Sequence, residues 1–409
     1  MRKTAISQLI RYFFDVIFFI LFPVILIFSW VRFWLKKILR LSPSVIVSPL
    51  GELLPFNNVK ALRAAGYKAD NIAFTCPRYF RSASFGLILE DHFYLRMLIY
   101  LTDYTFLFLW AVVKYDFFEF AFSGGILKNS HLRKIELVLL KILAKKIVVY
   151  GHGADCKILS DIRKMGFKYN TAMDRTEKTE SQTEKVIRAN VERAKKYADV
   201  LIVGGDLIHL GKKGVFLPIP ADLSPWRYSP AKDHKIITIM HSTNHRSHKG
   251  SRFIIDIVEK LKRRLPIRFM LLEGKTLVDC QKLYPLADII ITDVITGWHG
   301  NTSIEAMAIG RPVITYLRPD IMEFHSYYAQ GRVPIVSANP DDLAKKIEVL
   351  VKNKKLRVAL GQKGRKYALK FHSLAFVGAL RKILYEYIWD GKKINQRIFE
   401  REVKKRKLI

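Results

Sequence analysis

The sequence predicts an α/β protein in which two doubly wound parallel sheets face each other across a cleft, preceded by one hydrophobic helix. Three observations lead to this prediction: an apolar run near the N-terminus, a series of short β-branched segments alternating with amphipathic helices, and a second such series after a proline-rich stretch. Strand and helix in regular alternation indicate a parallel sheet with helices on both faces. Half of the 409 residues are hydrophobic and 12% are aromatic, which excludes wholesale disorder.

The apolar run predicts a membrane helix. Residues 13–31 are apolar except at three positions, among them Asp15 and Pro23, and basic residues flank both ends. As a helix the run would rise about 28 Å, close to the ~30 Å of a bilayer core. No small-residue cleavage site closes it, so a removed signal peptide is disfavoured, and a buried core helix is the alternative. We assign residues 1–40 to a membrane anchor and leave open whether it spans the bilayer or inserts halfway.

The first α/β series predicts an N-terminal domain over residues 41–222. Its predicted strands are 45–48, 71–74, 117–122, 147–150 and 200–203, and its predicted helices are 56–65, 131–144 and 183–197. The segment 94–113 is rich in Leu, Phe and Tyr but contains Arg96 and Asp103. We expect it to form a helix buried between the sheet and the membrane surface, with a second membrane span as the alternative.

The second series predicts a C-terminal domain over residues 223–372. Its predicted strands are 236–240, 267–272, 289–292 and 313–316, and its predicted helices are 251–264, 302–309, 340–352 and 355–370. Ligands of doubly wound sheets bind beyond the carboxyl ends of the strands. The loops at those ends are therefore the candidate site.

The most specific of these loops covers residues 297–314. Thr302, with Glu305 three residues later, predicts a capping box at the start of a helix. Gly297 and Gly300 lead into the same helix N-terminus, whose free amides would suit an anion such as a diphosphate. Glu305 is alternatively placed to accept hydrogen bonds from ribose hydroxyls, and both roles stay open on the residues alone.

A family resemblance rests on this loop. Residues 305–308 read Glu-Ala-Met-Ala, and Pro-Val-Ile follows at 312–314, which resembles the donor-site motif of nucleotide-sugar glycosyltransferases with the GT-B fold, called group 1 or family 4. Three other stretches fall in the matching order: an acceptor-side loop at 150–155, an interdomain segment at 217–223 and a basic turn at 248–250. The resemblance covers about residues 44–384. It implies two Rossmann-like domains, with residues 373–409 forming a crossover helix and a basic tail.

The resemblance also implies roles for individual residues. Glu305 would hold the donor ribose. Lys249, together with Arg246, would neutralise the diphosphate leaving group, whose negative charge grows in the transition state. Alternatively, these two cations belong to a solvated basic loop that binds no ligand.

The sequence departs from the family pattern at Gly297, where a second Glu is usual. The missing carboxylate removes a contact with the donor sugar. His299, Asn301 or the amides at Gly300 and Asn301 are the candidates to replace it. With Thr302 these residues complete the predicted donor site.

The acceptor side of the cleft has its own candidates. His152 and Asp155 follow a predicted strand, and the glycines on both sides of His152 would expose its ring in the cleft. We assign these two residues to catalysis or acceptor orientation, with a structural histidine as the alternative. Gly51 and Glu52 after the first strand form a further candidate cleft loop, or a simple turn.

Absent motifs and charge narrow the function. No D-x-D triplet, phosphate loop or H-E-x-x-H helix occurs, so we expect no metal ion and no cofactor beyond the nucleotide-sugar substrate. The 69 Lys and Arg against 36 Asp and Glu give a net charge of +33. Lys and Arg beside a membrane helix favour an anionic lipid surface, whereas no nucleic-acid module appears, so we consider nucleic acid an unlikely partner.

These observations predict a metal-independent hexosyl-type glycosyltransferase at the inner membrane, anchored with its body in the cytoplasm. It would transfer sugar from a nucleotide-sugar to a lipid-linked or growing glycan acceptor in cell-surface polysaccharide biosynthesis. The alternatives are another GT-B activity such as a nucleotide-sugar epimerase, or a non-catalytic basic membrane scaffold.

Overall fold

The computed structural model describes residues 5–77, 87–151, 153–173, 177–210, 214–230, 234–322 and 333–409. Two parallel sheets dominate it, and the predicted α/β class with facing doubly wound sheets is confirmed. All nine predicted strands are present, with ends that differ by up to three residues. The sequence patterns missed two edge strands because they are only two and three residues long.

The first sheet has seven parallel strands in the order β3-β2-β1-β4-β5-β6-β7. The strands are β1 Ser44–Ser48, β2 Lys68–Ala73, β3 Leu87–Ile88, β4 Phe117–Ala121, β5 Lys146–Tyr150, β6 Val200–Val203 and β7 Gly214–Phe216. The helices of this part are α1 Ala5–Ile38, α2 Leu53–Ala64, α3 Phe93–Leu101, α4 Thr105–Lys114, α5 Glu136–Ile142, α6 Leu159–Lys164 and α7 Glu177–Tyr197. Every residue of β4 is buried, as expected for a strand covered on both faces.

The second sheet has four parallel strands in the order β11-β10-β8-β9. The strands are β8 Ile237–Ser242, β9 Ile267–Leu272, β10 Ile289–Asp293 and β11 Val313–Thr315. The helices are α8 Arg246–Lys249, α9 Ser251–Lys262, α10 Leu277–Leu283, α11 Asn301–Ala308, α12 Leu343–Lys352 and α13 Lys354–Phe371, followed by α14 Leu374–Trp389 and α15 Gln396–Lys405. The strand order reverses between β8 and β10, which makes the loops after these two strands the expected ligand site.

The chain crosses from one domain to the other twice, once near Ala221 and once near Ser373. These two interdomain segments, which we call the interdomain passage, lie side by side. The amide of Ala221 donates a hydrogen bond to the carbonyl of His372 at 2.8 Å, and Ala221 pairs with Ser373. Helix α14 then packs on α2 of the first domain, where a Cβ on Gly378 would lie 2.3 Å from the carbonyl oxygen of Ala61. The C-terminal helices therefore return to the first domain.

A buried ion pair anchors α14. Arg381 donates to the Glu119 carboxylate on β4 at 2.6 Å, and both side chains are almost fully buried. Asn58 donates to the other carboxylate oxygen at 2.8 Å, and the Tyr385 hydroxyl also donates to Glu119. These partners compensate the burial of the Glu119 charge.

The expected single helix over residues 94–113 is wrong. It forms α3 and α4, bent by 103° at a break where Asp103 and Tyr104 have φ of 46° and 68°. The buried Asp103 carboxylate accepts hydrogen bonds from the Ser130 hydroxyl and the amide of His131, which hold the break in place. The helix predicted at 131–144 is shorter than expected: residues 131–134 form a 3₁₀ turn, and α5 covers only Glu136–Ile142.

Helix α1 is long and apolar enough over Tyr12–Ile38 to cross a membrane. It nevertheless packs against α3 and α4 of the first domain. Phe18 is buried beside Phe108, at 6.4 Å between ring centroids. The helix therefore has one face on the protein and one face exposed.

Replacing Arg381 with Met should lower the free energy of unfolding by about 3–5 kcal/mol, because the Glu119 charge stays buried without its cation. Denaturant unfolding followed by fluorescence would measure this. The control Lys352→Ala breaks an exposed pair with Glu348 and should cost less than about 1 kcal/mol. The double variant Glu119→Gln/Arg381→Met should regain part of the loss; equal losses for the single and double variants would contradict this account.

Candidate active site

A cleft of about 540 Å³ lies at the carboxyl ends of both sheets. This volume lies within the range of small-molecule sites. The second domain contributes the loops after β8, β9 and β10, and the first domain contributes the start of α2 and the loop after β5. Charged and amide side chains that line the cleft include Glu52, Lys157, Lys249, Lys275, Asn301 and Glu305.

Glu305 is the buried acid of this cleft. Its side chain lies in the cleft wall, and the residue is 8% exposed. No described residue hydrogen-bonds its carboxyl group, and burial raises the pKa of Glu305 to about 8. The group therefore holds a proton at neutral pH and is available to a ligand.

The predicted capping box is wrong. Helix α11 begins at Asn301, one residue earlier than predicted, and Gly300 is its N-cap without any side-chain cap. The Thr302 hydroxyl consequently lies within the first turn, and Glu305 lies beyond the position from which it would reach the N-cap amide.

The N-terminus of α11 opens onto the cleft. Asn301 and Thr302 line the cleft, and the first amides of a helix have no intrahelical acceptor. This end of the helix carries the positive part of its dipole. Free amides and positive potential together suit a phosphate group.

The two basic residues of α8 lie in different surroundings. Lys249 lines the cleft, and its ammonium group is 3.3 Å from a carboxylate oxygen of the buried Asp293. Arg246 points away and makes two hydrogen bonds with Glu273, at 2.6 and 2.5 Å. Gly250 ends the turn at φ 68°, where a Cβ would lie 2.8 Å from an Ile295 methyl group. The geometry favours Lys249 as the phosphate contact.

His299 lies behind the cleft wall and is buried. Its Nε2 is 3.3 Å from Nε2 of His372, whose Nδ1 is 2.8 Å from the carbonyl oxygen of Ile219. Since that carbonyl only accepts, His372 donates through Nδ1 and accepts at Nε2, which makes His299 the donor between the rings. Burial and the neighbouring His372 lower the pKa of His299 well below its ordinary value. His299 thus connects the loop before α11 to the interdomain segment around Ile219.

The candidate residues of the first domain also lie in different surroundings. Glu52 lines the cleft, and Gly51 beside it is buried where a Cβ would overlap the Thr75 carbonyl. Asp155 accepts a hydrogen bond from the amide of Phe122 at 2.8 Å, which ties the loop after β5 to the end of β4. His152 lies outside the described residues. The catalytic assignments of His152 and Asp155 stay predictions.

Gly297 shows why a carboxylate is absent at this position. Its φ is 96°, and a Cβ would lie 2.4 Å from Cδ of Arg318. Arg318 is itself held by Asp320 at 2.7 Å and lies over the ring of Phe167. A Glu at this position would require Arg318 to move.

Sequence reasoning missed several cleft residues. Lys157, Lys275 and His245 all line the cleft. Each follows the carboxyl end of a predicted strand, which is the signal that would have found them. Three lysines therefore line the cleft together with only two acidic residues, Glu52 and Glu305, so the cleft favours an anion.

No group of three or more His, Cys, Asp or Glu side chains arranged to hold a metal ion occurs among the described residues. The expectation that no metal is required stays a prediction.

Two facing parallel-sheet domains with a polar cleft between their carboxyl ends define the GT-B class of fold. Residues 259–367, which include α11 and Glu305, match the family model of the glycosyl transferases group 1. The resemblance to GT-B glycosyltransferases is thereby confirmed. None of the curated proteins compared with the sequence matches it.

Solved structures share the fold over most of their length. HepE from Anabaena, in complex with UDP and glucose, has a TM-score of 0.55 at 14% identity, covering 84% of this chain and 99% of that one. Sucrose-phosphate synthase from Thermosynechococcus elongatus has 0.53 at 12% identity, covering 86% and 100%. A glycosyltransferase from Rickettsia africae has 0.55 at 13% identity, covering 85% and 99%.

The raised pKa of Glu305 predicts that Glu305→Gln gains thermal stability relative to the wild type as the pH rises. Between the ordinary 4.5 and about 8 the folded protein retains a proton that the unfolded chain has released, so the free energy of unfolding falls as pH rises through this range. The Tm of Glu305→Gln should therefore exceed that of the wild type increasingly from pH 5 to pH 8, measured by differential scanning fluorimetry. Glu259→Gln, on an exposed face of α9, should follow the wild-type curve; a parallel curve for Glu305→Gln would contradict the shift.

Proposed function

We propose that this protein is a membrane-attached glycosyltransferase that uses a nucleotide-sugar donor. The family match and the fold support transferase activity with such a donor. The observation that carries the proposal is Glu305, a buried carboxyl group that faces the cleft beside a helix N-terminus and Lys249.

The donor would bind along the second domain. Glu305 offers both carboxyl oxygens to the ribose hydroxyls. The N-terminus of α11 and Lys249 lie on the same wall and would take the diphosphate. Lys249 is kept in place by Asp293, so its charge is positioned before the ligand arrives.

Transfer would occur where the two domains meet. The bond between the anomeric carbon and the phosphate oxygen breaks, the nucleoside diphosphate leaves with the electron pair, and the acceptor oxygen bonds to the sugar as its proton is released. Glu52 and Lys157 are the charged side chains of the described first domain that line the cleft. The predicted roles of His152 and Asp155 belong to this step.

We further propose a lipid-linked or growing glycan as the acceptor, at the cytoplasmic face of the inner membrane. The exposed apolar face of α1 and the charge of +33 support attachment to an anionic lipid surface. A place in cell-surface polysaccharide synthesis follows from this acceptor class.

Donor binding tests these assignments. Titration calorimetry of the detergent-purified chain with a panel of nucleotide-sugars should identify one donor, whose affinity falls about tenfold or more in Lys249→Met and in Glu305→Ala, because each change removes a hydrogen bond to a charged or buried group. Arg246→Met should lose less, since Arg246 is bound to Glu273.

The control Lys262→Met alters an exposed cation on α9 that pairs with Glu259, and it should bind as the wild type does. Equal losses for Lys249→Met and Lys262→Met would contradict the donor site. If the folded wild type binds no nucleotide-sugar of the panel, the result would favour the alternative of a non-catalytic scaffold.

A further inference from the structure

Helix α1 is docked on the first domain along most of its length. A stripe of its side chains, spaced three and four residues apart, packs on the body. The stripe consists of Phe18, Phe22, Ile25, Ser29, Arg32 and Lys36. From Phe18 to Lys36 the helix rises roughly 27 Å, which is almost the thickness of a bilayer core.

Polar contacts fix the C-terminal half of this stripe. Arg32 and Lys36 both pair with Asp116, at 3.2 and 2.6 Å, and the Asp116 side chain is 5% exposed. Burial acts to raise the pKa of Asp116, but hydrogen bonds from Lys36 and the Ser44 amide lower it below its ordinary value. Arg32 also donates to the carbonyl of Lys114 at 2.7 Å, at the end of α4. Undocking α1 would leave a buried carboxylate without its cations.

The opposite face of α1 is exposed and apolar. Its largest exposed side chains include Phe19, Val24, Ile27, Trp34 and Ile38. The sequence contains no charged residue between positions 16 and 31. A continuous exposed apolar strip is typical of a membrane or protein interaction surface.

Helices α3 and α4 extend the same apolar surface. Phe93 and Tyr94 on α3 and Phe106 and Trp110 on α4 are exposed, Tyr94 to 80%. Both helices pack against α1. The 103° bend held by Asp103 prevents them from forming a straight span of their own. We call the exposed faces of these three helices the α1–α3–α4 surface.

We propose that the α1–α3–α4 surface inserts into one leaflet of an anionic bilayer, with α1 lying in the membrane plane rather than crossing it. A crossing helix must be clear of its protein body over about 30 Å, whereas α1 is bound to the body over nearly that distance. In-plane insertion instead buries the exposed apolar face to a depth of about 5–10 Å. This inference rests on the membrane attachment in the proposed function and not on its sugar chemistry.

Charge at the edge of the surface fits a lipid occupant. Arg40 and Arg96 are exposed beside it, where their side chains reach phosphate groups while the apolar stems stay near the lipid. Exposed Trp30, Trp34 and Trp110 are residues typical of the membrane interface. A second copy of this strongly basic chain would bring like charges together.

Vesicle flotation tests the surface through residues outside α1. The full chain should float with vesicles of equal parts phosphatidylcholine and phosphatidylglycerol. Tyr94→Glu/Phe106→Glu should lower its partition coefficient about tenfold. Val349→Glu, at an exposed apolar position on α12, should float as the wild type does. Point variants are preferred to deletion of α1, since deletion also removes Arg32 and Lys36.

Topology distinguishes the in-plane helix from a span. Ser7→Cys should react with a membrane-impermeant maleimide added outside the vesicles as fully as the body control Glu192→Cys. Protection of Ser7→Cys until the vesicles are permeabilised, with normal flotation of Tyr94→Glu/Phe106→Glu, would show that α1 spans and overturn the inference. A wild-type protein that stays off vesicles as a dimer would overturn it as well.

Donor binding, measured on the same samples, keeps the two proposals separate. A chain that floats as expected but binds no nucleotide-sugar would contradict the proposed chemistry alone. A chain that binds donor but fails the flotation and labelling tests would contradict the membrane surface alone.

Discussion

The cleft depends on the hydrogen bonds that join the two passages of the chain between its sheets. Ala221 donates to the His372 carbonyl, and His372 holds the carbonyl of Ile219 through its ring. His299 extends this contact to the loop that precedes α11. The two histidine rings and the Ala221 residue are buried, and hydrogen bonds are directional. The interdomain segments therefore set the position of the loop before α11. The passage and the site are therefore one structural unit.

The contact with α1 and the cleft lie in different parts of the first domain, but both involve its sheet. Asp116, at the amino end of β4, binds α1. The loop after the neighbouring β5 contributes to the cleft at the opposite end, and Asp155 of this loop is bound to the amide of Phe122 after β4. Helix α14 reinforces the same strand through Glu119 and Arg381. Strand β4 thus connects the exposed apolar surface, the crossover helix and the acceptor side. A lipid-linked acceptor would approach a body already oriented on the membrane.

The sequence predicted the architecture well because alternation of buried strands and amphipathic helices is a local pattern. It also pointed to the segment at the start of α11, since Glu305 and the residues after it resemble a family motif, and Asn301, Thr302 and Glu305 do line the cleft. It failed where long-range contacts decide: Asp103 bends the segment 94–113 through Ser130 and His131, and Glu273 draws Arg246 away from the cleft. The docking of α1 was equally hidden, because Asp116 is 80 residues distant from Lys36 in the chain.

The most direct test of a sugar-transferring cleft is the stoichiometry of turnover. The full-length wild type would be incubated with the nucleotide-sugar that binds it and a membrane-lipid extract, and both products would be quantified by mass spectrometry. We expect one nucleoside diphosphate for each sugar that appears on an acceptor, and loss of both products in Glu305→Ala. An isomerised donor without transfer, or no consumption of a donor that demonstrably binds, would contradict the account.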